Sequence, residues 1–126
     1  MLGISRALVE KLFAKKSDKN QCTAWVVFDG TTTPPTIKDS YNVISVTKIA
    51  VGVYDINFTI PMKNINYQTS GSVTDDNSSS GFIYERGTFA QNRTVNKCRI
   101  VTIQISGGNT STVDRSGITF SAIGGI

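Results

Sequence analysis

The sequence predicts an all-β protein: an antiparallel β-sandwich of about seven short strands, preceded by a short N-terminal α-helix. Three observations carry that expectation. The 126 residues include 15 Thr, 13 Ser, 9 Asn and 11 Gly but only 17% charged residues, so polarity comes from side chains that suit pleated surfaces and tight turns. The apolar period is 3.6 residues near the start and 2 thereafter. Turn residues then separate short apolar runs to the end of the chain, the punctuation of a sandwich or small barrel.

Residues 4–16 (ISRALVEKLFAKK) form the one helical stretch. Ile4, Leu8 and Leu12 fall on one i,i+4 row, with Val9 and Phe13 on a neighbouring row. Lys15 and Lys16 sit at its C-terminal end, where the helix dipole favours cations. So short a helix is marginal alone in water, so its apolar rows want a partner. The polar residues 17–20 read as a linker, dividing the chain into an attachment segment, 1–20, and a β domain, 21–126.

Strands are expected at 23–28, closed by Asp29-Gly30, and at 41–48. Between them Pro34 and Pro35 make residues 31–36 a loop, because consecutive prolines cannot join a central ladder. A turn at Gly52 leads into 53–59 as a hairpin, which Pro61 ends. Further strands are expected at 65–73, 82–84, 98–105 and 118–123, with loops at 75–81 and at Gly107-Gly108-Asn109. Alternation assigns Trp25, Val27, Val43, Phe58, Ile103 and Phe120 to the core.

Several functional classes are disfavoured by composition. No run of 18 apolar residues predicts a membrane-spanning helix. With no His and two Cys, neither a typical zinc or redox-metal site nor the commonest general base is expected. Arg6, Lys11, Lys15, Lys16 and Lys19 against Glu10 and Asp18 put +3 of the net +4 in the first twenty residues. The rest is nearly neutral, which does not suit a nucleic-acid clamp. The opening stretch is broken by Arg6, Glu10 and Lys11 and lacks the apolar centre of a signal peptide. Cys22 and Cys98 are either one disulfide or two half-buried apolar side chains; sparse cysteine fits a reducing compartment.

Asp75-Asp76-Asn77 offers oxygens to Ca²⁺ but lacks the spaced ligands of a strong loop, and reads as a solvated turn. Asp29, Asp39, Asp55 and Glu85 are the carboxylates available for glycoside hydrolysis, and nothing in their spacing converges them. No catalytic, cofactor or metal residue is therefore assigned, and the protein is read as non-enzymatic. The glycosylation sequons at Asn57, Asn77, Asn92 and Asn109 follow from composition. Trp25, Tyr41, Tyr54, Tyr67 and Tyr84 are the rings able to stack on sugars or anchor a partner, Trp25 being assigned to the core. Tyr84, Arg86 and Phe89 lie beside Gly81 and Gly87 and form the expected exposed contact surface.

Four pieces in order carry a further signal: AWVVFDG at 24–30, SYNVISV at 40–46, GVYDINFT at 52–59, and Pro61-Met62 followed by Asn66-Tyr67. This block resembles one common in the C-terminal regions of tailed-bacteriophage fibre and related virion proteins. The stretch from Cys98-Arg99-Ile100 to Ile123 is similar to family endings, less specifically. The departures are Pro34-Pro35, where the family usually has a Gly-rich or polar turn, and a short helical segment in place of a long shaft. The resemblance implies an oligomeric, typically trimeric, structural or receptor-contacting module of the virion. The expectation is a short fibre, spike or decoration, a homotrimer attached to other virion proteins through Ile4, Leu8, Val9, Leu12 and Phe13. The alternative is a module recognising host-surface carbohydrate. Neither nucleic acid nor membrane insertion is expected.

Overall fold

The computed structural model describes residues 5, 7, 21–74, 80–85 and 93–126. The five apolar residues assigned to the helix (Ile4, Leu8, Val9, Leu12 and Phe13) lie outside the described residues, as do Asp75-Asp76-Asn77, Arg86 and Phe89.

Among the described residues there are nine strands: β1 (Cys22–Asp29), β2 (Thr36–Tyr41), β3 (Val43–Ala50), β4 (Val53–Phe58), β5 (Tyr67–Thr74), β6 (Ser80–Glu85), β7 (Lys97–Ser106), β8 (Asn109–Thr112) and β9 (Gly117–Gly124). They form a four-stranded sheet, β2-β1-β9-β5, and a five-stranded sheet, β3-β4-β7-β6, with β8 paired to β7. Every pairing is antiparallel. The all-β class and the Gly52 hairpin are as expected; two strands are additional. The expected run at 41–48 breaks at Asn42, and Tyr41 instead ends a separate strand, β2, that begins at Thr36, the last residue of the expected loop. The turn at Gly107-Gly108 folds Asn109–Thr112 back on β7 as β8.

Asn42 carries the chain from one sheet to the other with φ 55°, a left-handed conformation that Asn tolerates better than most side chains. Its Nδ2 donates to Thr23 O (3.0 Å) and Ile60 O (3.1 Å), and its Oδ1 accepts from Ile60 N–H (2.7 Å). One side chain thereby ties β1, the β2–β3 corner and the end of β4. The exposed edge strand β3 has register shifts at Ile44 and Ile49, irregularities that discourage pairing with another sheet.

The core lies between the sheets. Ala24, Val26, Phe28, Tyr67, Ile118, Phe120 and Ala122 face Val43, Val46, Tyr54, Ile56, Phe58, Cys98 and Ile100. Val43, Phe58 and Phe120 are buried as expected. Ile103 is buried too, in a separate cluster with Val53 and Val101. Trp25 and Val27 correct the expectation: both are half-buried, while Ala24, Val26 and Phe28 point inward. A strand apolar on both faces satisfies either phase locally, and a shift of one residue exchanges the whole set.

Candidate interaction surfaces

On the outer side of the five-stranded sheet, Asp55, Lys97 and Arg99 form an ion-paired end, and beyond them the row turns apolar. Val53 pairs with Val101, Val101 with Tyr84, and Ile103 with Phe82. Val53, Val101 and Ile103 are buried, whereas Phe82 (44%), Tyr84 (45%) and Ile105 (42%) are exposed. The Phe82 and Tyr84 rings stand 6.5 Å apart. Tyr84 is exposed, with Phe82 beside it on β6 and Val101 opposite it on β7. Arg86 and Phe89, the other residues of the expected contact surface, lie outside the described residues; within the sheet, Phe82 and Tyr84 stand opposite Ile103 and Val101 as a period-2 apolar row.

The outer side of the four-stranded sheet is different. Trp25 pairs with Tyr41 on one side and Ser121 on the other, and Ser121 pairs with Ser70. The next row runs Asp39, Val27, Thr119 and Ser72. Ser70 Oγ and Ser121 Oγ are 2.9 Å apart, Ser72 Oγ and Thr119 Oγ1 2.8 Å. Tyr41 is exposed. Two aromatic side chains therefore adjoin a field of hydroxyls.

A groove of about 470 Å³ opens at the end where β1 begins. Gln21, Cys22 and Thr23 make one wall, Ile60, Pro61 and Lys63 another, with Tyr41, Met62 and Ile126 completing it. Three of its apolar side chains are well exposed: Tyr41 (56%), Ile60 (69%) and Ile126 (38%).

The carboxylates do separate, structural work. Asp29 accepts from the backbone N–H (2.8 Å) and hydroxyl (2.5 Å) of Thr31, bonds that hold its carboxyl below the usual range. Asp39 accepts from Ser40 N–H at 2.9 Å. Asp55, almost fully buried, accepts from Arg99 Nε (2.7 Å) and Lys97 Nζ (2.9 Å). Burial works to raise its carboxyl, and the two cations outweigh it, so the net shift is downward. Glu85 pairs with Arg93 and accepts from Thr69 Oγ1 at 2.5 Å; there too burial opposes and the partners prevail. Arg93 also lies 4.4 Å over the Tyr67 ring and donates to the carbonyls of Ile65 and Tyr67.

Asp114, which the sequence did not single out, is the hub of a fifth cluster. It accepts from Tyr54 Oη (2.5 Å), Lys48 Nζ (2.5 Å) and Gly52 N–H (2.8 Å). Cys22 and Cys98 are both free thiols; Cys98 is buried in the core, and burial pushes its thiol far up. Among the described residues these groups serve local pairing, and the surfaces able to meet a partner are the two sheet faces and the end groove.

Comparison with protein-family models, curated proteins and solved structures finds no match for this chain.

Proposed function

We propose that this chain is a non-enzymatic bacteriophage virion structural protein, a short fibre, spike or decoration that works as a homo-oligomer and is held on the particle by residues 4–16. The observation that carries the reading is how the fold uses the four pieces of the resemblance. Ala24, Val26 and Phe28 of the first piece enter the core. Asn42 of the second turns the chain between sheets. Gly52 of the third has φ 72°, and Tyr54 places its hydroxyl 3.2 Å from Gly30 O of the first. Met62 and Tyr67 of the fourth close the core, Tyr67 meeting Phe58 edge-on at 5.7 Å. The pieces interlock as one unit, which supports their common origin as a module and not as scattered coincidences.

The test is a Leu8→Asp, Leu12→Asp variant offered to particles lacking the protein. Incorporation should fall severely, each lost side chain removing about 1.5–3 kcal/mol of transfer free energy, while thermal unfolding of the β domain stays unchanged. Normal incorporation would overturn the anchoring role. A second reading, recognition of host-surface carbohydrate, is favoured by Trp25: it lies on the outer face beside Tyr41 and the Ser70/Ser121 hydroxyls, where a ring can stack on a sugar and hydroxyls can bond it. Glycan-array retention abolished by Trp25→Ala would establish it; unchanged retention would remove it.

A further inference from the structure

We propose that a concavity at one end of the outer side of the four-stranded sheet, lined by the amides of Asn64, Asn66 and Gln68, holds one unit of an uncharged glycan. The inference rests on the second reading above, recognition of carbohydrate, and names both the seat of the sugar and the class of sugar it takes.

Two chain segments build the concavity, whose volume is about 390 Å³. Just before β5, Asn64 Oδ1 accepts from Asn66 N–H at 2.8 Å, a turn made by the side chain that sets two amides beside Gln68. Along β5 the odd residue Tyr67 enters the core, while Gln68, Ser70 and Ser72 are exposed. Opposite Gln68 stands Ile123 of β9. Gly124 and Gly125, with φ 91° and 73°, then turn the chain so that Ile126 closes the other side.

The lining selects its ligand by chemistry. A carboxamide both donates and accepts, and among the described residues neither the Asn66 nor the Gln68 amide bonds to another group of the protein. The lining residues carry no charged side chain, so a phosphate, a carboxylate or an ammonium group meets no counter-charge there. They include no aromatic ring on which a nucleobase could stack. An apolar chain would cover three amides without bonding them, which is costly. A peptide gains no ladder from β9, which is already paired to β1 and β5. A sugar meets every condition: its hydroxyls donate and accept as the amides do, and its C–H face rests on Ile123 and Ile126. The next pair along the ladder is Ser70 and Ser121, and Trp25 lies on the far side of Ser121. Successive pairs on one face are about 7 Å apart, so a glycan held by its end unit lays the following units over the hydroxyls toward Trp25.

The experiment offers the full-length protein an array of neutral hexose and N-acetylhexosamine oligosaccharides beside sialylated and sulfated ones. Neutral glycans should be retained and acidic ones not. Calorimetry with the best-retained glycan then compares the wild type with Asn66→Ala, Gln68→Ala. Both side chains are exposed, so the double variant should keep its melting temperature while its affinity falls about tenfold. Retention of acidic glycans alone, or a double variant that binds like the wild type, overturns the proposal. If the double variant binds normally while Trp25→Ala does not bind, the carbohydrate reading stands and only the concavity is wrong. A wild type that retains no glycan overturns both.

Discussion

Replacing Tyr54 with Phe removes a single hydroxyl from a fully buried side chain, and the surroundings say what that costs. The ring stays packed edge-on against Phe28, 5.1 Å between centroids. What disappears is the donor 2.5 Å from Asp114 Oδ1. A hydrogen bond to a charged group is worth about 1.5–3 kcal/mol. Asp114 keeps Lys48 and Gly52 N–H and its side chain is 20% exposed, so water compensates in part and the lower end, about 1.5 kcal/mol, applies. Gly30 O, near the lost hydroxyl, retains Lys48 Nζ at 3.3 Å. A loss of that size lowers the melting temperature by about 4–8 °C in a domain of this length.

The pH dependence adds a sign. Burial, then Asp114, pushes the Tyr54 phenol well above its ordinary range, so it remains a donor throughout. At Asp114 burial acts upward, but Lys48, Tyr54 and Gly52 N–H prevail and hold the carboxyl below its usual value. A depressed carboxyl contributes its full stability above the unfolded pKa of about 3.9 and loses it as pH falls through the folded value. Urea denaturation of wild type and Tyr54→Phe should show the full gap at pH 7 and a shrinking gap below about pH 4. A gap under about 0.5 kcal/mol at neutral pH, or one that widens in acid, would refute the reasoning.

Two further outcomes follow from which side chains face inward. Phe28→Ala should cost about 3–5 kcal/mol by urea denaturation, whereas Trp25→Ser, on the outer face of the same strand, should cost no more than about 1 kcal/mol; the reverse order would mean that β1 sits in the other phase. In alkylation at pH 8, Cys22 should react first and Cys98 should stay protected until the protein unfolds, since its thiol is wholly buried; equal rates would contradict that burial.

The β class and most strand positions were legible because turn residues bound nearly every run, as Gly52 does between β3 and β4. The phase of β1 was not, because Ala24 to Phe28 is apolar on both faces and the largest ring was placed in the core. The flanks held the answer: Thr23 and Asp29 share parity with Trp25 and Val27, while Ala24, Val26, Phe28 and Gly30 form a row with no polar side chain. The corner at Asn42 escaped notice because its role depends on Thr23 and Ile60, 19 and 18 residues away. Asp114 was illegible for the same reason, its partners lying 60 to 66 positions earlier. Long-range pairing leaves no local period to read.

The central pair of the four-stranded sheet joins β1 to β9, Cys22 opposite Ile123. During synthesis, therefore, β1 emerges first and has no central neighbour until almost the whole domain has been made. A nascent chain halted before residue 117 lacks the strand to which both β1 and β5 are hydrogen-bonded, and it leaves one further edge of each of them unpaired. Such distant partners make for slow acquisition of structure, and the ribosome must release the last strand before the first can come to rest.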